Sequence, residues 1–148
     1  MIDVIGMTEE HVDSVAQLEN ECFGECAWSA NSLKSSLAES GAHFFVALCD
    51  GQVAGYVGMN CVLDEGYITN VAVSGNYRRR GVADRLIATL DECMESLNLS
   101  FISLEVRVSN SAAIALYEKH GYKSLGVRKA FYRLPTEDAY IMTKERGN

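Results

Sequence analysis

The segment from Val71 to Leu97 constrains the fold more than any other part of the chain. A β-prone stretch ends at Val73, a short loop carries three arginines and Gly81, and apolar residues then recur at the spacing of one helical face. These apolar positions are Val82, Leu86, Leu90, Met94 and Leu97. A strand that passes through a tight loop into an amphipathic helix predicts a helix packed on a sheet.

Turn and cap residues divide the rest of the chain into short elements. Asp50-Gly51 lies between the β-prone stretches 43–48 and 53–62, and predicts a hairpin because glycine accepts a positive φ. Helices are predicted to begin after Thr8, Ser29 and Asn110, whose side chains can accept a hydrogen bond from a free backbone amide. Further strands are predicted over 67–73, 101–108, 122–127 and 139–144.

The order of these elements predicts an α/β fold with a mixed sheet, of the kind also described as α+β. The order is β-α-α-β-β-β-α-β-α-β-β, with hairpins first and helix crossovers later, so that the sheet contains antiparallel and parallel strands and is covered by helices. The 148 residues suit a single domain spanning positions 1–148.

Charge and cysteine content exclude several classes of function. Thirteen basic against twenty acidic residues give a net charge of −7, which disfavours direct binding of nucleic acid and favours a cationic or amine-bearing substrate. The odd number of cysteines, five, and an N-terminus unlike a signal peptide predict a reducing cytoplasm. No apolar stretch approaches the roughly 20 residues that cross a bilayer, so no membrane association is predicted. Cysteine and histidine spacing predicts no metal site.

The arginine run at positions 78–80 precedes the first turn of the predicted helix, where the helix dipole is already positive. This concentration of positive charge favours a bound anion. Backbone N–H groups of the first turn, with Gly81 and the small Ala83 permitting close approach, would form a cradle for a phosphate or diphosphate. A solvated basic patch is the alternative, and nucleic-acid binding is the weakest one because no basic face or base-stacking aromatics accompany the run.

The motif Arg78–Ala83, RRRGVA, resembles the (Q/R)xxGx(G/A) acetyl-CoA motif of the GNAT acyltransferases. The stretches Leu104–Arg107 and Asn110–Tyr122 fall where that fold places corresponding segments. These two stretches and Ala27–Ser29 are most similar to the ribosomal-protein-alanine N-acetyltransferases. The resemblance implies a GNAT fold with helices on both faces of the sheet, acetyl-CoA as co-substrate, and no metal. It also implies a protein acceptor, the N-terminal alanine of a small-subunit ribosomal protein.

The resemblance implies a role for each residue of the site. Glu105 matches the base that takes a proton from the acceptor amine, and Tyr117 matches the acid that protonates the leaving thiolate. Trp28, Phe131 and Tyr132 are expected to line the acceptor groove. The residues implied to hold acetyl-CoA are Val71, Ala72, Val73, Arg78, Arg79, Arg80, Gly81, Val82, Ala83 and Asn110.

The implied mechanism is direct transfer, with no covalent bond between the acetyl group and the enzyme. Acetyl-CoA is expected to lie in a splay between two parallel strands, here 67–73 and 101–108, where the Val73 amide can donate to the thioester oxygen. Residue types alone leave other interpretations open. Glu105 also fits a solvated position on a polar strand face, Tyr117 fits core packing, and Asn110 fits a helix cap.

Two other functions share the cofactor loop. One is acetylation of a small amine, such as a polyamine or an aminoglycoside, and the other is a non-catalytic module that binds acyl-CoA. The acidic balance favours the basic tails of ribosomal proteins as acceptors, and the presence of both Glu105 and Tyr117 favours an enzyme. The oligomeric state does not follow from the sequence.

Overall fold

The computed structural model describes residues 1–133 and 135–147. The strands are β1 (Ile2–Gly6), β2 (Ala42–Cys49), β3 (Gln52–Val62), β4 (Glu65–Val73), β5 (Phe101–Arg107), β6 (Lys123–Tyr132) and β7 (Glu137–Glu145). The helices are α1 (Val12–Phe23), α2 (Ala30–Leu37), α3 (Val82–Ser96) and α4 (Ser111–Lys119). The strands form one mixed sheet in the order β1-β2-β3-β4-β5-β7-β6, in which β4 and β5 are parallel and the other neighbours are antiparallel.

Local sequence chemistry sets many of these boundaries, as predicted. Asp50 and Gly51 both have positive φ and join β2 to β3 in a two-residue hairpin turn. Ser29 and Asn110 each accept a backbone hydrogen bond from the first turn of the helix that follows, so both caps are confirmed. Gly121, at φ +94°, follows the end of α4 in the left-handed conformation that commonly terminates a helix.

Helices cover both faces of the sheet, which confirms the predicted fold class. On one face, α3 buries the predicted stripe Val82, Leu86, Leu90 and Met94 against β3, β4 and β5, and α4 contributes Tyr117. On the other face, α1 and α2 pack on β2, β3 and β4 through a second core. The members of this second core on α1 and α2 are Val12, Val15, Leu18 and Leu33.

Three boundary or burial predictions are wrong. The chain forms a 3₁₀ turn at Glu9–His11 before α1 begins, and the first turn predicted after Thr8 is therefore not α-helical. Leu97, predicted on the apolar stripe of α3, is 42% exposed, because it lies one residue beyond the end of that helix. β6 extends to Tyr132, whereas the sequence predicted its end at 127. The prediction failed because this edge strand is exposed along most of its length and shows no period-two burial.

Candidate active site

The parallel strands β4 and β5 pair over only three residues and then separate. Pairing runs from Glu65–Phe101 to Tyr67–Ser103. A β-bulge follows at once, because Gly58 pairs with Asn70 and Met59 with Ile68, which leaves Thr69 without a partner on β3. Since a bulge bends its strand, β4 turns away from β5 and a wedge-shaped gap opens between them.

Backbone polar groups at the end of β4 face this gap. The N–H of Ser74 donates to the carbonyl of Ala54 on the β3 side, at 2.8 Å. Because successive N–H groups of a strand point in opposite directions, the N–H groups of Val71 and Val73 point toward the gap. The Val73 carbonyl accepts a hydrogen bond from Arg78 Nε at 3.5 Å. The same carbonyl also accepts from Cys22 Sγ at 3.5 Å. The edge of β4 therefore presents the N–H groups of Val71 and Val73 as donors to an extended ligand.

The loop before α3 leaves the positive end of that helix open. Gly81 occupies the N-cap position at φ +79° and has no side chain to accept a hydrogen bond from the first turn. A Cβ atom built on Gly81 would meet no atom within 4 Å. Arg78, Arg79 and Arg80 are all exposed beside it, and Arg79 also has a positive φ. The free N–H groups, the dipole and three guanidinium groups together fit an anion such as a diphosphate.

The start of α3 lies beside the gap because Gly55 lets it approach the sheet. A Cβ at Gly55 would lie 2.8 Å from the Ala72 carbonyl oxygen and 3.0 Å from Val82 Cγ1. Val82 is 2% exposed, so its side chain belongs to the core and only its backbone can face a ligand. Ala83 is half-buried in the next position. The close packing at Gly55 thus brings the start of α3 near the end of β4.

Glu105 lies on the sheet face opposite α3 and α4. Its neighbours Leu104 and Val106 are buried in the core beneath those helices, so alternation turns Glu105 to the other face, where it is half-buried. Two tyrosines flank it. Burial, followed by the charge of Glu105, raises the pKa of Tyr132. The pKa of Tyr67 is also raised, mainly by its hydrogen bond to Glu65, and the charge of Glu105 makes a smaller contribution.

Tyr117 is part of the core and also carries a protonated phenol. It is 6% exposed, and its ring lies 5.8 Å from that of Tyr122. Burial raises the pKa of Tyr117 to about 12, with a smaller contribution from Tyr132. The predicted packing role is therefore present, and the hydroxyl remains a proton donor at neutral pH.

Tyr132 links the two candidate catalytic residues. Its hydroxyl donates to the backbone carbonyl of Glu105 at 3.0 Å, and it is close enough to Tyr117 to influence its pKa. The guanidinium of Arg107 lies 4.4 Å from the centre of the Tyr132 ring and forms an ion pair with Glu137 at 3.2 Å. These contacts hold Tyr132 beside Glu105 in a fixed orientation.

Open grooves lie at both segments predicted to bind the acceptor. One groove is lined by Ala27, Trp28, Ser29, Asn31, Ser32, Ser35 and Ser36. The other is lined by Ala130, Tyr132, Arg133, Pro135 and Thr136. Phe131 is 40% exposed and meets the Tyr132 ring edge-on at 5.0 Å. Of the three aromatic residues expected at the acceptor groove, Trp28 and Tyr132 line these grooves, and Phe131 lies next to Tyr132 without lining either one.

Asn110 has the first of its two predicted roles, that of a helix cap. Its Oδ1 accepts from the Ala113 N–H at 3.2 Å, so the side chain caps α4. Contact with acetyl-CoA stays a prediction for this residue. Among positions 1–133 and 135–147, no group of three or more His, Cys, Asp or Glu residues is arranged to hold a metal ion. In the same part of the chain, no helix is both long and apolar enough to span a bilayer.

Sequence reasoning missed one buried polar residue near the Trp28 groove. Glu19 is 1% exposed on α1, and its carboxylate accepts hydrogen bonds from the Trp28 N–H and the Tyr56 hydroxyl. A signal for it exists in the sequence. Glu19 stands four positions after Val15 and next to Leu18, on the apolar face of the predicted helix, where a solvated glutamate is not expected.

Comparison with known proteins matches this chain to acetyltransferases in family, sequence and structure. The family model described as "Acetyltransferase (GNAT) family" matches residues 12–122. The ribosomal protein bS18-alanine N-acetyltransferase of Escherichia coli K12 is 36% identical over 119 residues, which cover 78% of each chain. An N-alpha-acetyltransferase of Saccharolobus solfataricus is 38% identical over 121 residues, covering 73% of this chain and 72% of that protein. The crystal structure of the Escherichia coli ribosomal-protein-S18-alanine N-acetyltransferase superposes with a TM-score of 0.91 at 28% identity, covering 98% and 94% of the two chains.

Proposed function

We propose that the acceptor of this chain is the N-terminal alanine of a small-subunit ribosomal protein. The chain belongs to the acetyltransferase (GNAT) family and is an acetyl-CoA-dependent N-acetyltransferase. The names of its relatives support that acceptor. The net charge of −7 also favours the basic segments typical of ribosomal proteins. The catalytic unit would be the single domain 1–148, and the five free thiols fit a cytoplasmic enzyme.

The observation that carries the proposal is the gap between β4 and β5 that opens beside Glu105. Acetyl-CoA, when bound, supplies an acetyl group activated as a thioester. The N–H groups of the first turn of α3 and the arginines before Gly81 would hold its diphosphate. The exposed backbone edge at Val71 and Val73 would bind its pantetheine arm in the manner of an added strand.

Glu105 would make the acceptor nucleophilic. An ammonium group has no lone pair, so the acceptor must lose a proton before its nitrogen can bond to the acetyl carbon. The half-buried Glu105 carboxylate, held on a strand and flanked by tyrosines, can take that proton directly or through a water molecule. The Val73 N–H would donate a hydrogen bond to the acetyl oxygen as negative charge develops there.

Tyr117 would complete the transfer. As the new N–C bond forms and the C–S bond breaks, the departing sulfur carries the bonding electron pair and needs a proton. The Tyr117 phenol, whose pKa burial raises to about 12, retains its proton until that point. Protons balance over the whole transfer, because the acceptor nitrogen loses two protons on going from ammonium to amide. Glu105 would take the first and pass it to solvent, and the second would restore the proton that Tyr117 gives to the sulfur.

The acceptor chain would lie between the two grooves, with Trp28 on one side and Phe131 and Tyr132 on the other. The direct test measures thiol release from acetyl-CoA against peptides with different N-terminal residues and against free polyamines, with mass spectrometry locating the added acetyl group. We expect the alanine-initiated peptide of the ribosomal protein to be preferred, with acetylation on its α-amine. Activity on polyamines alone would replace the protein acceptor with a small amine.

A further inference from the structure

Glu19 is a buried carboxylate that the proposed chemistry does not use. It lies on α1 at 1% exposure, and both of its oxygens accept hydrogen bonds. Oε1 accepts from the backbone N–H of Trp28 at 2.9 Å, and Oε2 accepts from the hydroxyl of Tyr56. The two donors come from different parts of the fold: Trp28 from the segment between α1 and α2, and Tyr56 from β3.

Burying this carboxylate is costly. Neither donor carries a charge, and none of the ion pairs between described residues includes Glu19. An apolar side chain at this buried position would carry no desolvation cost, whereas a carboxylate does. The carboxylate therefore does not follow from the needs of core packing.

The Tyr56 side of the network is fixed in one state. Burial raises the pKa of Tyr56 far above its usual range, and the hydrogen bond to Glu19 raises it further, while Asn70 acts in the opposite direction. The hydroxyl thus stays protonated and stays a donor. Tyr56 is fully buried and its ring packs near Phe44, so this end of the network does not move.

The Trp28 side is the one with freedom to move. The segment between α1 and α2 passes through a 3₁₀ turn at Gly24–Cys26, and the side chains at 23–26 are exposed. Trp28 is half-buried against the second core, but the exposed residues 23–26 before it add no member to that core, and segments with few buried contacts open at low cost in free energy. The bond from the Trp28 N–H to Glu19 ties the segment to the rigid core just before α2 begins.

We propose that Glu19 is a positioning residue for the acceptor: it fixes the backbone of Trp28 and thereby holds the Trp28 groove in the shape that receives the acceptor's N-terminus. This inference rests on the proposed function, since it assumes that the Trp28 groove binds the acceptor. Glu19 touches neither substrate, and it acts through the segment it holds. Loss of that bond weakens acceptor binding and leaves acetyl-CoA binding and the chemical step in place.

Three variants separate this role from general support of the core. Glu19→Leu removes both acceptors, and Glu19→Gln keeps an oxygen that can accept from the Trp28 N–H. Tyr56→Phe breaks the other bond of the same carboxylate and leaves the bond to Trp28 intact. If Glu19→Leu fails to fold, the double variant with Tyr56→Phe, which also removes the unpaired hydroxyl, takes its place.

Two measurements are made on each variant. In steady-state kinetics, Glu19→Leu should raise the KM for the acceptor peptide by about tenfold or more, as expected for loss of a hydrogen bond to a charged group. The KM for acetyl-CoA and kcat should stay within about threefold, a change well below that loss. Trp28 is the only tryptophan of the chain, so its fluorescence reports on the segment directly. Acrylamide quenching should increase in Glu19→Leu and match the parent in Glu19→Gln and Tyr56→Phe.

Three results would overturn the proposal. In the first, quenching of Trp28 in Glu19→Leu equals that of the parent. In the second, quenching increases but the KM for the peptide does not change. In the third, Tyr56→Phe alters quenching and both KM values as much as Glu19→Leu does, which marks Glu19 as a general core contact. Failure of the proposed function gives a different result, because the parent protein itself then acetylates no N-terminal peptide. In that case no KM for the peptide can be compared, and the link between Glu19 and the acceptor fails. Quenching of Trp28 still reports whether Glu19 holds the segment.

Discussion

Replacement of Tyr117 by phenylalanine separates the proposed catalytic role of this residue from its packing role. Tyr117→Phe keeps the ring that packs 5.8 Å from Tyr122 and removes only the hydroxyl. The raised pKa of Tyr117 comes from burial and from Tyr132, with no contribution from a hydrogen bond to a described residue. Removing the Tyr117 hydroxyl is therefore not expected to leave a buried hydrogen-bond partner unpaired. We therefore expect the free energy of unfolding to change by no more than about 1 kcal/mol, the scale of one hydrogen bond. For a chain of this size that is a shift in Tm of about 2–4 °C.

Turnover should respond far more strongly than stability. Loss of a positioned proton donor costs about 100- to 10,000-fold in rate, which is about 2.7–5.5 kcal/mol of activation free energy. Affinity for coenzyme A should stay unchanged, because the anion cradle at α3 and the edge of β4 do not involve the hydroxyl. The expected signature is a large fall in kcat with nearly constant stability.

The pH dependence of stability gives an independent check on Tyr117. Burial raises its pKa to about 12, so the fold favours the neutral phenol. The stability that this contributes is complete below the unfolded pKa of about 10 and is lost as pH rises toward 12. Parent and Tyr117→Phe should therefore differ increasingly in free energy of unfolding above about pH 10.

Thiol release from acetyl-CoA at saturating peptide measures kcat, and chemical denaturation measures the free energy of unfolding. A Tyr117→Phe variant that folds and turns over within about twofold of the parent, far less than loss of a general acid costs, would refute the assignment of Tyr117 as the acid. A variant whose stability and turnover fall together would show that packing alone explains the residue.

Three further predictions concern the base, the anion cradle and a surface network. Glu105→Gln should lower kcat by about 100-fold or more at unchanged coenzyme A affinity, because an amide of the same size does not accept the proton; near-parental turnover at saturating peptide would contradict this. Gly81→Val should weaken coenzyme A binding in a calorimetric titration, since the valine side chain enters the open space at the cradle. Gly51→Val is the matched control, because Gly51 has φ +81° and open surroundings on a remote turn. Equal weakening of binding in both variants would count against the cradle. The hydrogen bond from Lys119, followed by one from a neighbouring histidine, lowers the pKa of Asp84, so the stability this provides is present above about pH 4 and is lost as pH falls through the lower folded value. Asp84→Asn should thus be less stable than the parent in urea unfolding at neutral pH, with the difference shrinking in acid; a difference independent of pH would contradict the pKa argument.

Features that depend on local chemistry could be predicted from the sequence. The stripe that begins at Val82 marks α3, and the Asp50-Gly51 turn and the Asn110 cap mark boundaries, because each acts on residues within a few positions. Glu105 and Tyr117 were identified by resemblance, and each occupies an element of the predicted type. Residue types alone did not favour the catalytic roles over a polar strand face and a core contact.

Features that depend on distant partners could not be predicted. The bulge at Thr69 arises from how β3 pairs with β4, and no property of Thr69 itself signals it. The position of Glu19 on the buried face of α1 signals its burial, but its hydrogen-bond donor Tyr56 lies 37 positions away and could not be identified from the sequence. The end of β6 was misplaced because an exposed edge strand has no buried face to create alternation. In each case the missing information is a tertiary contact.

A crystal structure of the protein grown with acetyl-CoA tests the central claim most directly. We expect diphosphate oxygens within hydrogen-bonding distance of the N–H groups at the start of α3, and the thioester in the gap between β4 and β5 with the Glu105 carboxylate facing it. A diphosphate bound elsewhere, or a Glu105 side chain directed away from the thioester, would contradict the account.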